Sequence, residues 1–243
     1  GCVWRQHPLL EIRALKDQYG LVRLKPLAAK AAELRMPAIA LTDFNNFFGL
    51  VKFYKAVQGA GVKPILGSDV LIADESGEGS PSQLVLLISD DTGYKNLTTL
   101  ISKGYQEGQR QGIPTIRLSW LEELNEGLIA LSGGRLGEIG ISLISGRRAD
   151  AETSLQRLMA IFPDRFYLEL QRTGRPDEED YLHAAVDLAD VFSCPLVATN
   201  DVRFIAAEEY EAHEARVCIY EGRTLDDPRR ERRYSESQYI QTP

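Results

Sequence analysis

The 243-residue chain is 44% hydrophobic and 26% charged with a net charge of −7, an ordinary balance for a soluble globular protein with a sizeable core. The acidic balance argues against a surface built to grip nucleic-acid phosphates, which needs clustered Lys and Arg, although a local basic patch stays open. Three widely spaced cysteines, Cys2, Cys194 and Cys218, form no CxxC pair, which argues against a disulfide framework or zinc knuckle and for a reducing compartment. With no signal-peptide pattern at GCVWRQHPLL and no bilayer-length apolar run, the expectation is a cytoplasmic protein with no membrane association.

Taken in chain order, the pattern alternates. Pro26 sits at a helix start, with Leu27, Ala31 and Leu34 on one face. A strand follows at 38–43 (AIALTD), then a helix whose apolar stripe is Phe47, Leu50, Val51, Tyr54 and Val57. Strands are predicted at 63–73 and 83–89 around the turn GEGSPS (77–82), and at 127–133 after the turn GQRQGIP (108–114). Leu155, Leu158, Met159 and Phe162 make a helical stripe before the strand at 165–171. Beyond the turn TGRPDEE (173–179), Tyr181, Ala185, Leu188 and Phe192 make another before the strand at 195–201. Nearly continuous apolar strands suit a parallel sheet buried on both faces, and strand–helix alternation indicates βα units. Residues 223–243 lose periodicity and read as a polar connection.

In a barrel of βα units, working side chains project from the C-terminal ends of strands. Asp43, Asp69, Asp90, Asp91 and Asp201 all follow apolar runs. Converging carboxylates bind Mg²⁺ or Mn²⁺, but a single Asp at such a junction is more often a helix cap. Histidine is the sharper test, because Zn, Mn and Fe clusters use imidazole heavily. The chain has only His7, His183 and His213, none after a predicted strand. His213 shares a helical stripe with Ala206, Tyr210 and Val217, and His183 shares a polar face with Glu179, Asp187 and Asp190. Ser132 in LSGGR lacks a GxSxG elbow. GGRLGEIG (133–140) lacks the P-loop ending and the GxGxxG spacing. RRERR (229–233) reads as a solvated run.

Several long segments carry a family resemblance: MPAIALTDFNN (36–46), GLVKFYKA (49–56), VKPILGSD (62–69), TGYKNLTTLISKGYQEG (92–108), LNEGLIALSGGRLGEIG (124–140), LELQRTGRPDEEDYLHAA (168–185) and VATNDVRF (197–204). In this order they resemble the N-terminal PHP domains of bacterial replicative polymerases, the DNA polymerase III alpha subunits, in their proteobacterial branch. The resemblance implies an α/β fold, a distorted (β/α)7, TIM-barrel-like barrel related to metal-dependent phosphoesterases. It runs from about Gly20 to the end of the chain, with the PHP domain itself at 20–222. Residues 1–19 form a divergent N-terminal segment, and 223–243 would lead toward a polymerase region.

Family members with an intact metal site carry histidines where this chain does not. The first-strand region, LEIRALKDQYG (10–20), has none. Phe44 follows Asp43 where the family has Asp-His, Asp69 replaces a Glu, Gln83 stands where some members have His, LSGGR (131–135) has glycine where a Cys often occurs, and Arg203 replaces a His after Asp201. The resemblance thus implies a vestigial metal-site rim of Asp43, Phe44, Asp69, Asp201 and Arg203, with no catalytic residue and no bound metal. Weak Mg²⁺ binding at the rim is left open. An always-charged guanidinium at Arg203 is expected to pair with Asp43 or Asp201 in place of a metal. The implied role is a non-catalytic scaffold in DNA replication that supports the polymerase domains of the parent chain, a nucleotidyltransferase, and binds the proofreading exonuclease (epsilon) subunit. The segment by itself is expected to be inactive and not to bind DNA directly. The alternative is a metal-dependent phosphoesterase or pyrophosphatase with a reduced ligand set.

Overall fold

The computed structural model describes residues 11–12, 14–15, 24–73 and 79–241. Its strands and helices, in chain order, are β1 (Glu11–Ile12), β2 (Ala14–Leu15), α1 (Leu24–Glu33), β3 (Ala38–Phe44), α2 (Leu50–Gly59), β4 (Lys63–Ile72), β5 (Ser82–Ile88), α3 (Asp91–Glu107), β6 (Gln109–Arg110), β7 (Ile113–Pro114), α4 (Leu118–Glu123), β8 (Leu128–Leu131), α5 (Glu138–Ile144), α6 (Arg148–Ile161), β9 (Phe166–Gln171), α7 (Glu178–Phe192), β10 (Leu196–Thr199) and α8 (Tyr210–Glu221). The large sheet runs β1-β10-β9-β8-β5-β4-β3-β2. One short stretch of chain meets both edges: Glu11 registers with Ala198 of β10, and Ala14 with Ala40 of β3. β1 and β2 therefore act as one stave that closes the sheet, giving the expected seven-stave barrel.

Side chains alternate across the staves, as a strand requires. Ala40, Val85, Leu87, Ile129, Leu131 and Val197 fill the interior. Their sequence neighbours face the helical layer: Ile39 and Leu41 pack with α1 and α2, and Leu84, Leu86 and Leu168 with α3 and α6. Strands buried on both faces explain the nearly continuous apolar runs, each fully buried Leu or Ile contributing about 1.5–3 kcal/mol.

The expectation of an all-parallel sheet needs correction at β5, which pairs antiparallel with both β4 and β8. Only residues 73–81 separate β4 from β5. A parallel return needs a crossover of roughly a dozen residues or more, so this connection can only make a hairpin. The reversal moves Asp90 and Asp91 to the end of the barrel opposite Asp69 and Asp201. There Asp90 is a helix cap, its Oδ1 accepting from Gly93 N of α3 at 2.9 Å.

Two further expectations change. The inner face of α2 is Phe53 and Val57, while Val51 and Tyr54 are exposed; the predicted stripe was rotated because it omitted Phe53. Residues 223–241, expected to be a polar connection, pack onto the barrel. Ile240 is buried among Leu27, Phe53 and Val202, and Tyr239 forms a parallel bridge to Phe204. Within RRERR, expected to be solvated, Arg230 is buried against Glu214 of α8.

Candidate functional site

The C-terminal mouth of the barrel is organised around Asp201, just past the end of β10. Its backbone is left-handed (φ 42°), a conformation that Asp tolerates better than most residues. The turn places a carboxylate of 3% side-chain exposure over the mouth. Arg175 Nη1 donates to its Oδ2 at 2.8 Å, and Gln238 Nε2 donates to the same oxygen at 2.8 Å. Arg203 Nη2 lies 3.0 Å from Oδ1.

Arg175 is the hub of this network. It reaches Gln171 Oε1 at 2.6 Å and Glu178 Oε1 at 3.1 Å. Glu178, in the first turn of α7, also accepts from Thr173 N (2.6 Å), Thr173 Oγ1 (2.8 Å) and Arg175 N (3.2 Å). Deeper in the barrel, Glu169 Oε1 accepts from Thr199 Oγ1 at 2.5 Å and Gln171 Nε2 at 3.0 Å. Charges removed from water need such pairing; Glu169 Oε2 is the exception here, buried without a hydrogen-bond partner. Burial works against the Arg203 cation, but Asp201, Tyr234 and Asp69 more than offset it, so its pKa is raised. Its guanidinium also lies over the Tyr234 ring at 5.1 Å. Nearby Arg135 is shifted down, by burial and then by Arg175.

The structure brings together Asp69, Asp201 and Arg203 of the expected rim, but not Asp43. Phe44 and Asp69 are register partners, on the interior side by alternation from Ala40 and Ile65. Asp43 shares the outer face with Leu41. Its Oδ2 accepts from Gly49 N at 2.9 Å at the entry to α2, and its carbonyl accepts from Ser68 Oγ at 2.8 Å. Asp43 therefore helps to fix the β3–α2 connection. Of the two expected partners of Arg203, the ion pair at 3.0 Å is with Asp201.

The histidines sit apart. His7 and most of the 10–20 region lie outside the described residues. His183 is exposed on α7, its Nδ1 2.9 Å from Glu179 O. His213 is buried on α8, edge-on to Tyr234 with centroids 4.7 Å apart. Burial and then Arg203 push its pKa down to about 4. Among the described residues, no three His, Cys, Asp or Glu side chains converge as a metal site.

A divalent cation needs several oxygen donors with free lone pairs aimed at one point. Here Asp201 Oδ2 already accepts from two N–H donors, the Arg203 cation lies 3.0 Å from Oδ1, Phe44 offers a ring, and Arg175 and Arg203 bring fixed positive charge. Among the described residues, this arrangement does not offer a divalent cation such a set of donors. The sequence reading missed Arg175, Glu178, Gln171, Glu169 and Gln238. Arg175 and Glu178 within the turn TGRPDEE were a local signal, and Gln238 lay in the segment read as a connection.

This barrel, closed by one interrupted stave and carrying a single reversed strand, defines a class: the PHP-domain family model matches residues 16–173, and the chain belongs to that family. Within it, the chain is a PHP domain of the kind found in the DNA polymerase III alpha subunit. It is 56% identical over 224 residues to DNA polymerase III subunit alpha of Pseudomonas aeruginosa, covering 92% of this chain and 19% of that protein. It is 53% identical over 223 residues to the Escherichia coli K12 subunit, with the same coverage. The chain thus spans about a fifth of the length of these curated relatives. Two solved structures share the fold. A putative metal-dependent phosphoesterase from Bifidobacterium adolescentis matches with TM-score 0.52 and 10% identity, over 80% of this chain and 88% of that one. An amidohydrolase from Chromobacterium violaceum matches with TM-score 0.52 and 13% identity, over 79% and 86%.

Proposed function

We propose that this PHP domain serves DNA replication as a non-catalytic part of a replicative polymerase alpha subunit. It supports the polymerase domains of its parent chain in the cytoplasm and binds the proofreading exonuclease (epsilon) subunit. The observation that carries the non-catalytic reading is the engagement of Asp201 by Arg175 and Gln238 through Oδ2 and by the Arg203 cation beside Oδ1. Guanidinium stays protonated at any physiological pH. Two such groups at the mouth take the positive charge that a metal would otherwise supply to a phosphoester. The scaffold and partner roles rest on likeness to the alpha subunits.

Hydrolysis of p-nitrophenyl phosphate and of pyrophosphate, assayed with added Mn²⁺, is expected to stay at buffer background. Turnover that disappears in Asp201→Asn would instead support a phosphoesterase with a reduced ligand set. Size-exclusion chromatography of the chain with the exonuclease subunit tests the partner role. Co-elution is expected, and separate elution at micromolar concentration would refute it.

A further inference from the structure

The first two helices carry a charge opposite to that of the rest of the molecule. Between Leu24 and Lys63 stand six basic side chains: Lys25, Lys30, Arg35, Lys52, Lys55 and Lys63. Against them stand two acids, Glu33 and Asp43, of which Asp43 is buried. This module therefore carries +4 on a chain of −7. α2 itself has two lysines and no acid. Along its outer side run three exposed apolar groups at helical spacing: Phe48 at 87% exposure in the turn leading in, then Val51 at 60% and Tyr54 at 41%. The helix does not need them for its own packing, because Phe53 and Val57 already bury its inner face. The apolar strip continues toward α3, where Tyr94, 45% exposed, stacks on Phe47 with centroids 6.1 Å apart.

We infer that the outer face of α2 is a docking surface for an acidic polypeptide segment of a partner protein, one that carries apolar side chains at helical spacing. Phe48, Val51 and Tyr54 supply the anchors, and Lys52 and Lys55 supply the charge complement. Interfaces of this kind draw most of their energy from a few aromatic or apolar anchors, while flanking charges set the partner and the encounter rate. Nucleic acid fits less well. The acidic remainder of the chain repels an extended polyanion, and Val51, in the middle of the strip, offers no ring for a base. A second copy in a two-fold dimer would set this basic face against itself.

The probe is a synthetic peptide with leucines at helical spacing between glutamates, compared with a scrambled peptide of the same composition and with oligothymidylate. Binding is read by fluorescence anisotropy on the chain and on the full-length subunit. The leucine–glutamate peptide is expected to bind both proteins, and to lose at least about tenfold in affinity to Phe48→Ser and to Lys52→Glu/Lys55→Glu. All three positions are exposed, so the melting temperatures should stay at the parental value. Val51→Glu is the reserve variant should Phe48→Ser melt early. Equal affinity for parent and variants would overturn the inference, as would equal binding of the scrambled peptide. Oligothymidylate binding lost through the same substitutions would reassign the face to nucleic acid. Binding to the chain but not to the full-length subunit would show that the parent polypeptide already covers it. Because the readout does not involve the barrel mouth, its failure is distinguishable from failure of the non-catalytic reading.

Discussion

Side-chain exposures of 6%, 2% and 3% for Arg175, Glu178 and Asp201 leave water little part in balancing their charges. Removing one partner of such a buried pair commonly costs about 3–5 kcal/mol, because the remaining charge is stranded. Arg175→Ala strands both Glu178 and Asp201 and should be the most damaging substitution at the mouth. Arg203→Ala leaves Asp201 with Arg175 and Gln238, so its cost should fall near or below the lower end of that range. Asp201→Asn on the Arg203→Ala background should recover part of the loss. A denaturant-melt double-mutant cycle reads this coupling, expected at about 0.5–3 kcal/mol, and a coupling of zero would make Arg203 a bystander. His213 gives a pH signature. Its pKa falls from 6.5 to about 4 on folding, through burial and then Arg203. Between those values the unfolded chain binds the extra proton, so stability is complete above about pH 6.5 and declines toward pH 4. Urea melts at pH 7 and pH 5 should show that decline, reduced in His213→Gln. An unchanged slope in the variant would assign the pH dependence to other groups. Of these residues the sequence disclosed Asp201 and Arg203 through family position. It could not disclose the bonds of Arg175 and Gln238 to Asp201, which lies 26 and 37 positions away from them.

At the scale of elements, the strands were the most legible feature, because burial on both faces leaves an uninterrupted apolar run. Direction was less legible. The short 73–81 connection did contain the reversal of β5, and with it the separation of Asp90 and Asp91 from the mouth. Helix α2 illustrates the limit of periodicity: Val51, Tyr54 and Phe53 are all apolar, so hydropathy does not identify the face that packs. The tail was misjudged for a different reason. Apart from Ile240, many of its contacts are hydrogen bonds, which leave no hydrophobic period: Ser237 Oγ donates to Thr173 O at 2.5 Å, and Asn200 Nδ2 donates to Tyr239 O at 2.8 Å. Deleting residues 223–243 removes the buried Ile240 and the Gln238 bonds to Asp201. A loss of about 1.5–3 kcal/mol from Ile240 alone converts to a melting point lower by roughly 5–10 °C for a domain of this size. Calorimetry showing the parental melting point would return the tail to the status of a passive connection.

For the whole molecule, the barrel needs both edges of its sheet joined, and the residues that join them are the two short strands at Glu11–Ile12 and Ala14–Leu15. Alternation of strands and helices suggested that architecture, and the family resemblance gave its stave number; hydropathy alone does not count staves. The same barrel is shared with a putative metal-dependent phosphoesterase at 10% identity, so the fold leaves the chemistry undecided and the mouth must decide it. In this chain the mouth is held by a guanidinium–carboxylate network in the place where a metal cluster would need unshared oxygen donors. Metal analysis of the chain purified without chelators, by plasma mass spectrometry alongside Asp201→Asn, tests that claim most directly. The network predicts zinc, manganese and iron far below stoichiometric amounts in both proteins. A stoichiometric metal in the parent chain that is lost in Asp201→Asn would contradict it.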